Sequence, residues 1–142
     1  LSGNKNLGLR DTNALAPLTA LQVLDLSDCR LPPDSLILIG NSPTLRETLR
    51  KLVLSCNRNF TPEDMSALAL LTVLRVLKLE SCNLPSDSLV PICTSLVLSG
   101  ILYEVDVSRN QELSPENKRI IEASSRCSIF GMSRHPPVDT NN

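Results

Sequence analysis

Residues 54–106 repeat residues 1–53 without a gap and with 24 identities. The clearest shared block is LTALQVLDLSDCRLPPDSL at 18–36 against LTVLRVLKLESCNLPSDSL at 71–89. A unit of this length is one or two supersecondary elements, too small to close a core alone, so its copies must stack. Each unit itself divides in two. Leu21, Leu24, Leu26, Cys29 and Leu31 follow L-x-x-L-x-L-x-x-C-x-L, and Leu74, Leu77, Leu79, Cys82 and Leu84 repeat it. Leu49, Leu52, Leu54 and Asn57 follow L-x-x-L-x-L-x-x-N, as do Leu102, Val105, Val107 and Asn110. A landmark Asn or Cys thus stands at Asn4, Cys29, Asn57, Cys82 and Asn110, in steps of 25, 28, 25 and 28.

The last two leucines of L-x-x-L-x-L lie two apart, which puts both on one face of a strand and the residue between them on the other. Helix signals follow. Thr61 is an N-cap, Pro62 takes the first helical position, and Glu63 and Asp64 fill the first turn; Ser114, Pro115 and Glu116 repeat the pattern. Met65, Leu68, Ala69 and Leu71 mark the buried stripe of the first of these helices. The repeated LPPDSL and LPSDSL at 31–36 and 84–89 are read as further helix starts, with Asp34 and Asp87 near the positive end. With 27 leucines and 2% aromatics, the core is aliphatic. After each strand the chain must curl inward, and the landmark side chain is placed to partner its buried amides and carbonyls.

The spacing also sets boundaries. LSGNKNL at 1–7 matches LSCNRNF at 54–60 and VSRNQEL at 107–113, so Leu1 takes the place of Leu54 and the chain is expected to open within an incomplete repeat. Adding 53 to Leu74, Leu77 and Leu79 lands on Cys127, Phe130 and Met132, which makes CSIFGM a degenerate last strand, and His135 falls where Cys82 predicts a landmark. The organisation expected is repeats over 1–113, a capping repeat over 114–135 and a loosely ordered tail over 136–142.

In these four matched registers, covering roughly 1–113, the chain resembles the leucine-rich repeat family. The alternation of Cys-type and Asn-type turns is similar to its ribonuclease-inhibitor-like subclass, although the steps here are less even. The resemblance implies an α/β fold: a right-handed solenoid forming a horseshoe segment, with a parallel sheet on the concave side and helices on the convex side. It also implies a non-enzymatic module that binds another protein through the concave sheet.

Other chemistries find little support in the residues. Cys29 and Cys82 stand two turns apart, ~10 Å at ~4.8 Å per strand, beyond disulfide reach. There is no C-x-x-C, and His135 is the single imidazole. The cysteines therefore read as core thiols in a reducing, cytoplasmic setting, with Cys56, one before its landmark, the most exposed. Asn59-Phe60-Thr61 is a glycosylation sequon that stays silent in such a compartment. No nucleophile with a base and no fixed pair of carboxylates appears, so no catalytic, cofactor or metal residues are assigned and no small-molecule substrate is expected. A net charge of −1 with no basic run disfavours nucleic acid. The longest uncharged segment, Ser88 to Tyr103, is short for a membrane span and carries Pro91 and Gly100.

What remains is the outward face of the sheet. Its residues fall into three columns: Val23, Lys51, Val76, Glu104; Asp25, Val53, Lys78, Asp106; and Ser27, Ser55, Glu80, Ser108, with Tyr103 as the one nearby aromatic. Mixed charge with aliphatic patches suits a protein partner. Other roles predict other surfaces: a structural subunit of a large assembly would dock by its helical side or open end, and a substrate-recognition part of a ubiquitin ligase or a GTPase regulator would carry further segments. The register itself is testable. Leu54→Asp would place a charge in the strand core, and the expected outcome is an unfolded chain; a normal thermal melt of that variant would refute the register.

Overall fold

The structure, a computed structural model, describes residues 1–15, 18–97, 100–123 and 128–129. The four L-x-x-L-x-L segments form three-residue strands, β1 (Val23–Asp25), β2 (Lys51–Val53), β3 (Val76–Lys78) and β4 (Glu104–Asp106), and β5 (Ser128–Ile129) follows. Among the described residues they build one parallel sheet in chain order, β1 to β5. Parallel neighbours need crossovers, which here are helical. They are α1 (Leu9–Leu15), before the sheet, then α2 (Ser35–Gly40) and α3 (Pro43–Thr48), α4 (Pro62–Leu68), α5 (Val90–Ile92) and α6 (Pro115–Ala123). The chain therefore has an α/β fold.

Pairing sets Leu24, Leu52, Leu77 and Val105 side by side, and all four are buried. Leu26, Leu54, Leu79 and Val107, two residues on, form a second buried file. Each such leucine contributes about 2 kcal/mol by leaving water. The steps between strands are 28, 25 and 28 residues, then 24 into β5, where Ile129 pairs with Val105. The period of 53 places Phe130 there instead. The last connection is one residue shorter than its counterpart between β2 and β3, so Ile129 takes the register position beside Val105. Cys127, Phe130, Met132, His135 and the expected tail 136–142 lie outside the described residues.

The helix start at Thr61 forms as its residues dictate. The Thr61 hydroxyl accepts from the Asp64 N–H at 3.1 Å, and the Asp64 carboxylate accepts from the Thr61 N–H at 2.9 Å. This reciprocal cap stabilises the helix by about 1 kcal/mol. Met65, Leu68 and Leu71 are buried, with Ala67 beside them, while Ala69 is half-buried. Ser114 repeats the start at α6, accepting from the Asn117 N–H at 3.2 Å.

The two LPxDSL segments behave differently from a simple helix start. Asp34 does stand at the N-cap of α2, but with φ 66 and without a side-chain cap bond. Its carboxylate instead accepts from the Thr61 hydroxyl at 2.8 Å. The free N–H groups of Asp34 and Leu36 donate to Asp64, at 3.0 and 2.9 Å. Asp64, fully buried, thus caps its own helix and α2 of the preceding repeat. In the second copy Asp87 lies in a turn, the helix begins only at Val90, and it passes into a π-helical turn at Cys93–Val97. Helices α2 and α4 approach closely at Gly40, where a Cβ would fall 2.2 Å from the Ala67 carbonyl oxygen.

The landmark residues tie each repeat to the one before. Asn57 Nδ2 donates to the Leu26 carbonyl at 2.8 Å and the Leu54 carbonyl at 2.9 Å, while its Oδ1 accepts from the Leu31 N–H at 3.0 Å. Asn110 donates to Leu79 and Val107 and accepts from the N–H groups of Cys82 and Leu84. Cys82 Sγ reaches the Leu54 carbonyl at 3.3 Å, and Cys29 Sγ the Leu1 carbonyl at 3.1 Å. Asn4, by contrast, is exposed and accepts from the Asn6 N–H.

An amide that serves both sides of a repeat boundary holds more than a thiol that donates once. Asn57→Ala orphans several buried backbone groups and is expected to cost about 3 kcal/mol or more. Cys82→Ala removes a weak donor and little volume, for about 1 kcal/mol. Chemical denaturation of the two variants checks the order, and equal losses would contradict this account of the landmarks.

Candidate functional site

A three-residue strand buries its middle residue and turns its first and third outward. Pairing places Val23, Lys51, Val76 and Glu104 in one column and Asp25, Val53, Lys78 and Asp106 in the next. Ser27, Ser55, Glu80 and Ser108 stand two residues beyond the last strand residues. Val23 is the most exposed of the apolar members at 58%, and Tyr103 is 45% exposed just before β4. Asp25 and Lys51 are exposed, and Ser27, Val53, Ser55, Lys78, Glu80, Glu104 and Asp106 are half-buried.

Two members of this set are not available for contact. Val76 is 9% exposed because it lies on a central strand between the longer Lys51 and Glu104. Ser108 is 5% exposed, its hydroxyl turned back onto the Asp106 carboxylate at 2.6 Å. Both were expected from the sequence on the outward face, and here they are buried.

Charges on the face are partly spent on one another. Lys78 Nζ donates to the Glu104 carboxylate across β3 and β4. Asp25 accepts from the Ser27 hydroxyl at 2.6 Å and the Ser27 N–H at 2.9 Å, and these bonds, helped by the amino terminus and Lys51, hold its carboxyl below the usual range. Asp106 makes the same pair of bonds with Ser108. The Asp-x-Ser turn is a local device that stiffens the strand end.

The edge just beyond the strands carries residues that the sequence pattern did not single out. The position before every landmark is left-handed: Gly3 at φ 77, Asp28 at 51, Cys56 at 64, Ser81 at 56 and Arg109 at 56. Only Gly3 advertises such a conformation in sequence. Arg30 and Asn83, directly after the two Cys landmarks, are left-handed as well. On this edge lies a polar cleft of about 270 Å³, lined by Arg58, Ser81, Asn83, Arg109, Gln111 and Glu112. Arg109 reaches Glu80 at 3.6 Å, with Arg109 exposed and Glu80 half-buried.

The thiols divide sharply. Cys29, Cys82 and Cys93 are buried and Cys56 is exposed. Among the described residues no group of three or more His, Cys, Asp or Glu is placed to hold a metal ion. Among them, too, no helix is long and apolar enough to cross a membrane.

Residues 43–69 match the family model described as Leucine Rich repeat. The match supports a leucine-rich repeat protein. The matched stretch contains α3, β2, the landmark Asn57 and α4, so it spans one strand, its turn and the helices on either side. Leucine-rich repeats generally mediate protein–protein interaction, which makes the exposed sheet face and its edge the surfaces of interest.

Burial gives one landmark a pH signature. It pushes the Cys82 thiol from 9.0 up to about 12, so between those values the unfolded chain loses a proton that the folded chain keeps. The stability this thiol contributes is whole below pH 9.0 and declines as pH rises toward 12. Wild type is expected to lose stability faster than Cys82→Ala above pH 9.0, by about 1 kcal/mol per pH unit. Denaturation midpoints measured across that range check it, and parallel curves would refute it.

Proposed function

We propose that the outward sheet face, as the concave side of a leucine-rich-repeat solenoid of the ribonuclease-inhibitor-like subclass, binds a partner protein. The observation that carries this reading is the shared register of β1 to β4, which lines up Val23, Lys51 and Glu104 in one column and Asp25, Val53, Lys78 and Asp106 in the next. Side chains held by a hydrogen-bonded ladder meet a partner with little ordering cost. Tyr103 and Val23 supply exposed apolar area at the start of the columns, and Lys51 an exposed charge. In this reading the repeats run over 1–113, the stretch 114–135 with α6 and β5 closes the stack, and the free thiols of Cys29, Cys56 and Cys82 suit a reducing, cytoplasmic compartment. The module has no enzymatic role of its own.

A second interface is favoured by Leu70 and Val90, which are 38% and 46% exposed on the helical side. A structural subunit of a larger assembly would dock there. Capture from native lysate, read by mass spectrometry, separates the two. The expected outcome is that a partner retained by the wild-type chain is lost by a folded Lys51→Glu, Lys78→Glu, Asp106→Lys variant. Retention of the same partners would reject the sheet face and move the interface to the helices.

A further inference from the structure

The residue directly after each landmark makes a row along the edge beyond the strands: Lys5, Arg30, Arg58, Asn83 and Gln111. Three successive repeats place a cation there and the next two a carboxamide, in a chain whose net charge is only −1. Arg109, left-handed just before its landmark, adds a fourth cation. Lys5 is partly balanced by Asp28 at 3.8 Å, and Arg109 by Glu80 at 3.6 Å. Among the described residues neither Arg30 nor Arg58 has an ion-pair partner, and both are exposed. The row ends in the cleft of about 270 Å³, where Arg58 and Arg109 stand with the side chains of Ser81, Asn83 and Gln111.

We infer that this edge is a second binding surface, separate from the sheet columns, and that its ligand is an extended acidic peptide segment. Guanidinium groups flanking carboxamide and hydroxyl donors suit a carboxylate. Glu112 in the same cleft repels any anion, and a doubly charged phosphate more strongly than a singly charged carboxylate. The spacing fits as well. Repeats advance by ~4.8 Å and same-face side chains of an extended strand by ~6.8 Å, so three repeat steps match two steps of alternate acidic residues. A segment lying along the edge would set one carboxylate at the Arg109 end of the cleft and another, two alternate steps on, over Arg30.

Fluorescence anisotropy of a labelled hexaglutamate peptide, titrated with the full chain, tests this. Binding is expected to weaken with added salt, to fall about tenfold in Arg58→Glu, Arg109→Glu, and to change less than about twofold in Lys51→Glu. Arg58→Gln, Arg109→Gln, expected to lose a smaller part of the affinity, decides the matter if the reversed variant does not melt normally. The proposal is overturned if hexaglutamate does not bind, if both arginine variants bind as wild type does, or if labelled hexalysine binds equally well. It is also overturned if oligouridylate binds more tightly than the peptide, which would make the edge a nucleic-acid surface. Loss in Lys51→Glu with the arginine variants unaffected would place acidic peptides on the sheet face instead. Because the sheet variant and the edge variants share no residue, failure here leaves the proposed role of the sheet face standing, and the reverse holds.

Discussion

The structure depends on how each repeat satisfies the backbone groups that its neighbour leaves inside. Three-residue strands make few ladder bonds, and the chain must leave them through a tight inward turn. Asn57 and Asn110 close that turn from the next repeat, each with an amide that donates to a preceding carbonyl and accepts beyond it, Asn57 from the Leu31 N–H and Asn110 from those of Cys82 and Leu84. The left-handed residue before each landmark swings the side chain into place. Without that pairing, buried amides and carbonyls would face leucine, at about 1–3 kcal/mol for each orphaned group.

The same economy shapes the outward face. Because main-chain groups are satisfied from within, residues such as Lys51 and Val23 have no structural task and are free to be read by a partner. Others are already engaged. Asp25 and Asp106 spend one oxygen on the serine two residues on, and Lys78 is held by Glu104. The face therefore offers fewer free charges than its composition suggests, and its edge offers more, with Arg30 and Arg58 lacking any ion-pair partner among the described residues.

What the sequence made legible was whatever repeats in side-chain identity. The leucine files, the Thr61 cap and most landmark positions follow from spacing, and the strand pairing sets the residues of the first two columns side by side. What stayed hidden is whatever repeats only in backbone geometry or across repeats. Asp28, Cys56, Ser81 and Arg109 share a left-handed conformation and nothing else, so no pattern of residue type reveals it. The reach of Asp64 to Asp34 and Leu36 joins positions 28 and 30 residues apart, which resembles an ordinary cap until the helices are side by side. Val76 reads as an outward strand residue, and only the lengths of its neighbours bury it. The edge cleft draws on three repeats at once and has no linear signature.

The bonds between repeats are also unequal, and the inequality has a period of two. On the strand side, Asn57 and Asn110 bind back to the Cys-type repeat before them with donors and acceptors together, whereas Cys82 binds back to the Asn-type repeat through one weak thiol bond to Leu54. On the helical side the same pairs are joined again: Asp64 takes the N–H groups of Asp34 and Leu36, Asn117 donates to the Ser86 carbonyl, and Gly40 admits Ala67 at a distance no side chain would allow. A Cys-type repeat and the Asn-type repeat after it are thus held at both ends of the strand-to-helix path. Between such pairs, at the junction of β2 with β3, the strand ladder and apolar contact carry most of the load. The unit that duplicates in the sequence, 53 residues long, is for this reason also the unit of cohesion, and a copy of half that length would lack the polar bonds that make one repeat a foundation for the next.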